Sequence, residues 1–163
     1  MIDIIQTDNH EDLHGFLVKH NFANLKDHNE IVYYATIFKF MHNQSTAGFV
    51  WMYELENEPG RFNVHMHIAD EYKGKILNRY IVNKFYQMTK DFAEVLEADP
   101  INQTLINLYQ RIGWKQNTDH SVELKLPYIW RNNYGSRKEI NQKSSAKGNR
   151  KTFCTSTSNH TSN

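Results

Sequence analysis

The sequence predicts an α/β (α+β) fold: a mixed, mostly antiparallel sheet with helices on both faces, as a single domain followed by a disordered tail. Three observations predict it. Between residues 31 and 68, three β-branched and aromatic segments are separated by short turn-forming clusters, so hairpins come first. From Ile76 onward the apolar residues recur every three or four positions, which is the period of a helix. A short apolar segment and a second helical pattern follow, and a strand reached through a crossover helix joins a sheet in parallel.

The elements are read in chain order. Ile2, Ile4 and Ile5 make a short strand, and Thr7-Asp8 offers a cap for a helix carrying Leu13, Phe16, Leu17 and His20. Residues 21–30 are polar and broken, a loop or a second short helix. Ile31 to Phe38 reads as a strand, His42-Asn43-Gln44-Ser45 as a turn, and Ala47 to Leu55 as the next strand. Glu56-Asn57-Glu58-Pro59-Gly60 is a strong turn signal. The third strand of this meander alternates cleanly. Phe62, Val64, Met66 and Ile68 fall on one face, with Asn63, His65 and His67 on the other. Ile76, Leu77, Tyr80, Ile81, Phe85 and Met88 then define an amphipathic helix. Phe92 to Ala98 is a short strand stopped by Asp99-Pro100, and Leu105, Leu108, Tyr109 and Ile112 form a helix ended by Gly113. Ser121 to Leu126 is the last strand, closed by Pro127.

Composition sets the limits. The 163 residues are 39% hydrophobic, enough for one domain, and only Cys154 is a cysteine. A disulfide scaffold or a cysteine zinc site within one chain is therefore excluded. No apolar run is long enough for a transmembrane helix, and Met1-Ile2-Asp3-Ile4-Ile5 is too short and too acidic for a secretory signal. The expectation is a cytoplasmic protein with no membrane partner.

The net charge of +1 hides a division. Residues 1–130 carry 12 basic and 17 acidic groups, whereas residues 131–163 carry seven basic groups and the single acid Glu139. The second segment has few large apolar residues, so it cannot offset its own ordering entropy and reads as a basic disordered tail. It is either a solvated tail or an arm for an acidic or nucleic-acid partner. The domain boundary falls between residues 130 and 131.

The turn Ala69-Asp70-Glu71-Tyr72-Lys73-Gly74-Lys75-Ile76-Leu77-Asn78 carries the strongest chemical signal in the body. A glycine in a basic strand-to-helix turn can offer backbone N–H groups and a helix N-terminus to phosphate. Lys73, Lys75 and Arg79 would add charge to the same anion.

This turn resembles the Asp-Pro-Glu-Tyr-Arg-Gly-Lys-Gly-x-Gly of the GNAT acetyltransferase superfamily, matching at Glu71, Tyr72, Gly74 and Lys75 with Lys73 for arginine. Downstream, Asn102-Gln103-Thr104-Leu105-Ile106-Asn107-Leu108-Tyr109-Gln110-Arg111-Ile112-Gly113-Trp114 is similar to that family's Asn-x-x-Ala-x-x-Leu-Tyr-x-x-x-Gly-Phe. The resemblance spans residues 1–126. It implies an acetyl-CoA-dependent N-acyltransferase moving an acetyl group directly to an amine of unknown identity. Lys73, Gly74, Lys75 and Asn78 would then meet the pyrophosphate. Backbone groups near Met66 and Ile68 would pair with the pantetheine amides and the thioester carbonyl, and Asn102 would contact the pantetheine arm or cap the helix. Tyr109 stands where many relatives place the acid that protonates the departing thiolate.

Two departures open an alternative. The family's second and third small turn residues fall on Ile76 and Asn78, and a branched side chain where phosphate should approach implies a reshaped turn or a lost site. The chain resembles most the GNAT-like proteins of bacteriophages, some of which serve as virion or head-assembly parts. A catalytically inactive structural protein is therefore the second expectation, in a virion or host cytoplasm.

The remaining candidates are polar or aromatic. His65 and His67 share one strand face, and either could take the proton of an ammonium acceptor. Two histidines could also bind a metal, but no third ligand is evident and none is expected. Tyr33, Tyr34, Trp51 and Tyr53 form an aromatic cluster, as packing or as an acceptor pocket.

Overall fold

A computed structural model describes residues 1–21 and 34–131. The elements run β1 (Ile2–Thr7), α1 (His10–Lys19), β2 (Thr36–His42), β3 (Ser45–Glu54), β4 (Arg61–Ile68), a 3-10 turn (Asp70–Tyr72), α2 (Arg79–Thr89), β5 (Val95–Ala98), α3 (Gln103–Arg111), β6 (Lys115–Gln116) and β7 (Val122–Lys125). One seven-stranded sheet has the order β1-β2-β3-β4-β5-β7-β6. Every pairing is antiparallel except β4 with β5, which α2 connects by a crossover.

Strand alternation divides the apolar residues between two layers. Ile37, Phe49 and Trp51 point to one face and meet Leu13, Phe16 and Leu17 of α1. Phe38, Phe40, Val50, Met52 and Val64 point to the other, against Ile81, Val82, Phe85 and Tyr86 of α2. The helices therefore lie on both faces, as expected. Each fully buried side chain of this kind removes apolar area worth about 1.5–3 kcal/mol.

Several boundaries differ from the sequence reading. The strand expected at Ile31–Phe38 begins at Thr36; Tyr34 is in a helical turn and 86% exposed, while Ile31 to Tyr33 lie outside the described residues. Of the expected aromatic cluster, Trp51 is core, Tyr53 is half-buried and Tyr34 is exposed, while Tyr33 lies outside the described residues. His42 ends β2 and Ser45 opens β3, so only Asn43 and Gln44 turn, with Asn43 at φ 55°. Asn9, not Thr7 or Asp8, caps α1 by accepting from Asp12 N–H at 3.0 Å. Phe92 is exposed and precedes β5, because Phe92 and Ala93 N–H both bond back to Thr89 at the end of α2. The polar stretch at residues 22–30 and the basic tail beyond Arg131 lie outside the described residues. No described helix is long and apolar enough to cross a membrane.

Candidate active site

The site begins where two strands separate. β5 pairs with β4 only at Arg61↔Val95, Phe62↔Leu96 and Asn63↔Glu97. On the other side, β4 stays paired with β3 along its length, to Ile68↔Gly48. From Val64 to Ile68 the β5 side of β4 therefore carries no ladder among the described residues. Gly48 allows the close approach of β3 here: a Cβ on it would lie 2.5 Å from the His67 carbonyl oxygen.

A narrow apolar cavity of about 40 Å³ opens on the α2 side of this parting, lined by Val64, Met66, Leu77, Tyr109, Ile112 and Trp114 among others. Met66 and Tyr109, both singled out from sequence, thus meet at one cavity, whereas the Ile68 side chain is buried in the core. Tyr109 is 8% exposed and packs on Trp114 with ring centroids 4.8 Å apart. Burial pushes its hydroxyl pKa up to about 12, and that hydroxyl has no hydrogen-bond partner among the described residues. Trp114 is held in turn by Tyr86: the indole N–H donates to the Tyr86 hydroxyl at 2.9 Å, which donates to the Ile112 carbonyl at 2.9 Å.

The basic turn lies past the end of β4. Gly74 has φ 78°, a conformation that favours glycine, and a Cβ there would meet nothing within 4 Å. Ile76, which should have crowded this turn, is fully buried among the residues under α2. The expected helix from Ile76 instead starts at Arg79, because Ile76 is spent as a core anchor before the chain turns into α2. Asn78 caps α2, its side chain accepting from Ile81 N–H at 2.9 Å. Lys75 and Arg79 are exposed and make no ion pair among the described residues. Lys73 is paired with Asp70 at 2.6 Å. The outer side of the turn is thus open and basic. Asn102 caps α3, accepting from Leu105 N–H at 2.9 Å.

The opposite side of β4 is polar. His65 is stacked between Trp51 and Tyr53, each with ring centroids 5.6 Å away and planes within 18°. His67 packs beside Phe16 and His20, at 5.9 and 5.8 Å. Burial holds the His67 pKa below the usual histidine range, and His20 and Lys73 push in the same direction. The two histidines share a face, as expected, but stand in different surroundings. The cross-strand row Tyr53–Asn63–Glu97–Glu123 runs along this face beside His65. Arg61 bridges Glu97 and Glu123 at 2.6 and 2.8 Å. Asp99 follows the end of β5, 3.5 Å from the Asn63 amide nitrogen. Sequence reasoning placed Asn63 on the histidine face but assigned it no role, and read Asp99 only as a strand stop. The signal that joins them is the parallel register of β4 and β5, which no local pattern encodes.

No family model matches the sequence, and no curated protein matches it. Solved structures do match. An N-acetyltransferase from Staphylococcus aureus Mu50 is 18% identical with a TM-score of 0.55, covering 77% of this chain and 99% of that one. The spermidine/spermine N-acetyltransferase SpeG from Vibrio cholerae is 13% identical with a TM-score of 0.57, over 77% and 95%. The aminoglycoside acetyltransferase AAC(6')-Ib, solved with coenzyme A and kanamycin, is 14% identical with a TM-score of 0.56, over 77% and 95%. Identities this low carry the fold alone, and the fold is that of the GNAT N-acetyltransferases.

Proposed function

We propose that this chain is an N-acyltransferase that moves an acetyl group from acetyl-CoA to an amine. The observation that carries the reading is the parting of β4 from β5 beyond Asn63, with Tyr109 at the apolar cavity on one side and His65 on the other. Acetyl-CoA supplies the acetyl thioester. Lys75, Arg79 and the N-terminus of α2 hold its diphosphate, with Gly74 keeping the turn open and Lys73 released from Asp70 to join them. Asn78 and Asn102 act through the helices that they cap, and backbone groups of Met66 and Ile68 on the unpaired side of β4 receive the pantetheine arm.

The reaction converts an ammonium and a thioester into an amide, a thiol and one proton. His65 takes the first proton of the ammonium and passes it to solvent. The nitrogen bonds to the acetyl carbon as the carbon–sulfur bond breaks, and Tyr109 gives its hydroxyl proton to the departing sulfur. The second nitrogen proton returns to Tyr109 through solvent. A hydroxyl pKa near 12 keeps Tyr109 protonated at neutral pH. The apolar cavity that raises it also disfavours a thiolate, so the transfer is not against an ordinary thiol near 8.5.

The test is a thermal shift with acetyl-CoA, since a ligand of the native state raises apparent stability. The melting temperature should rise with concentration, and less in Lys75→Glu and Arg79→Glu variants. No shift at millimolar acetyl-CoA would sink the reading.

A further inference from the structure

The polar row beside His65 contains hydrogen-bonding capacity that the fold does not use. Asn63 is 9% exposed, yet its carbonyl oxygen Oδ1 has no partner among the described residues. A buried amide oxygen left without a donor is costly, and native structures rarely keep one without a reason. Its amide nitrogen is aimed at Asp99 across the parting, at 3.5 Å. Asp99 is exposed and makes no ion pair among the described residues, whereas neighbouring Glu97 is engaged by Arg61. The half-buried Tyr53 lies opposite Asn63 in the β3–β4 ladder, and its hydroxyl is held protonated by burial and by the fields of Asp99 and Glu97. The vacant positions here accept hydrogen bonds, and the unpaired charge is negative. A ligand that satisfies both is a donor with positive charge.

The place of this cluster fixes a second property. Asn63 and His65 are two residues apart on one strand face, a spacing of about 7 Å. Continuing the β4–β5 register would set Asp99 opposite His65, but the ladder stops before it, so the opening lies between them. A cation held at Asn63 and Asp99 would therefore leave a second amine of the same short molecule at His65.

We infer that Asn63 and Asp99 form a docking site for one ammonium of a diamine or polyamine acceptor, whose second amine is the one acetylated. The inference rests on the acyltransferase reading for the second amine's fate, but the docking site does not depend on it. An acceptor with a carboxylate in place of the docked ammonium is repelled by Asp99.

The experiment is calorimetric titration of the full chain with cadaverine, with and without coenzyme A present, beside the same titration with glutamate. Wild-type protein should bind cadaverine and not glutamate. Asp99→Asn, an isosteric change at an exposed position, should weaken cadaverine at least tenfold, and Asp99→Lys should abolish it. Asn63→Ala should weaken it with Asp99 intact. The thermal shift produced by coenzyme A should be the same in all four proteins. Absence of cadaverine binding, equal binding in wild type and both Asp99 variants, or preference for glutamate would each overturn the inference. Failure of coenzyme A to shift the melting temperature would overturn the acyltransferase reading instead, while the cadaverine titration would still decide the docking site.

Discussion

Tyr109 has a hydroxyl at an apolar cavity with no partner among the described residues, so it can be removed without stranding another of those groups. Tyr109→Phe should therefore leave the melting temperature and the acetyl-CoA shift nearly unchanged. If the hydroxyl protonates the departing sulfur, kcat should fall by about 10²–10⁴-fold. Steady-state kinetics beside a melting curve checks this; an unchanged kcat would remove Tyr109 from the mechanism. Tyr109 was legible from sequence because it belongs to a local motif, in which the helix period carries it to the buried side with Ile106. His65 was legible only as a face. Its stacking between Trp51 and Tyr53 depends on the register of β3 against β4, which no local pattern encodes. Asn63 and Asp99, 36 positions apart, meet only across the parallel pairing of β4 with β5.

At the scale of elements, termini moved more than existence. The long helix was expected from Ile76 because Ile76 and Leu77 continue the apolar spacing of Tyr80, Ile81, Phe85 and Met88. The spacing is real, but it reports two structures that share one core. Ile76 is buried as part of the turn, and the helix starts after Asn78, whose side chain satisfies the Ile81 N–H. Periodicity does not distinguish a core residue of the first helical turn from one that anchors the loop before it. The cap does, and Asn78 was in view as a departure from a glycine pattern rather than as an N-cap. Its role changes the expected consequence of altering this turn. Ile76→Ala should cost about 2–5 kcal/mol of stability in urea unfolding, as a buried large-to-small substitution does. It should not tighten acetyl-CoA, because the side chain faces the core and not the turn's outer side. A variant that bound acetyl-CoA more tightly would show that Ile76 does crowd the diphosphate.

At the scale of the whole molecule, the two apolar layers were readable because period-two alternation in β2, β3 and β4 assigns each residue to one face or the other. The charge division is the other molecular property readable without structure. An acidic body of residues 1–130 attracts cations and repels polyanions, except at the turn bearing Lys75 and Arg79. The seven basic groups of residues 131–163 do the reverse. Contacts by such groups to phosphates release counterions, so duplex binding weakens with salt by about 0.9 in log–log slope for each phosphate neutralised. The full chain should therefore be retained on a heparin column at low salt and released as salt rises. A chain ending at Trp130 should flow through, because its remaining charge is acidic. Its acetyl-CoA thermal shift should match that of the full chain, since Gly74, Lys75, Arg79 and Tyr109 all lie in the body. Equal retention of both chains would place the polyanion contact in the body, and the turn at Gly74 would be the first place to look.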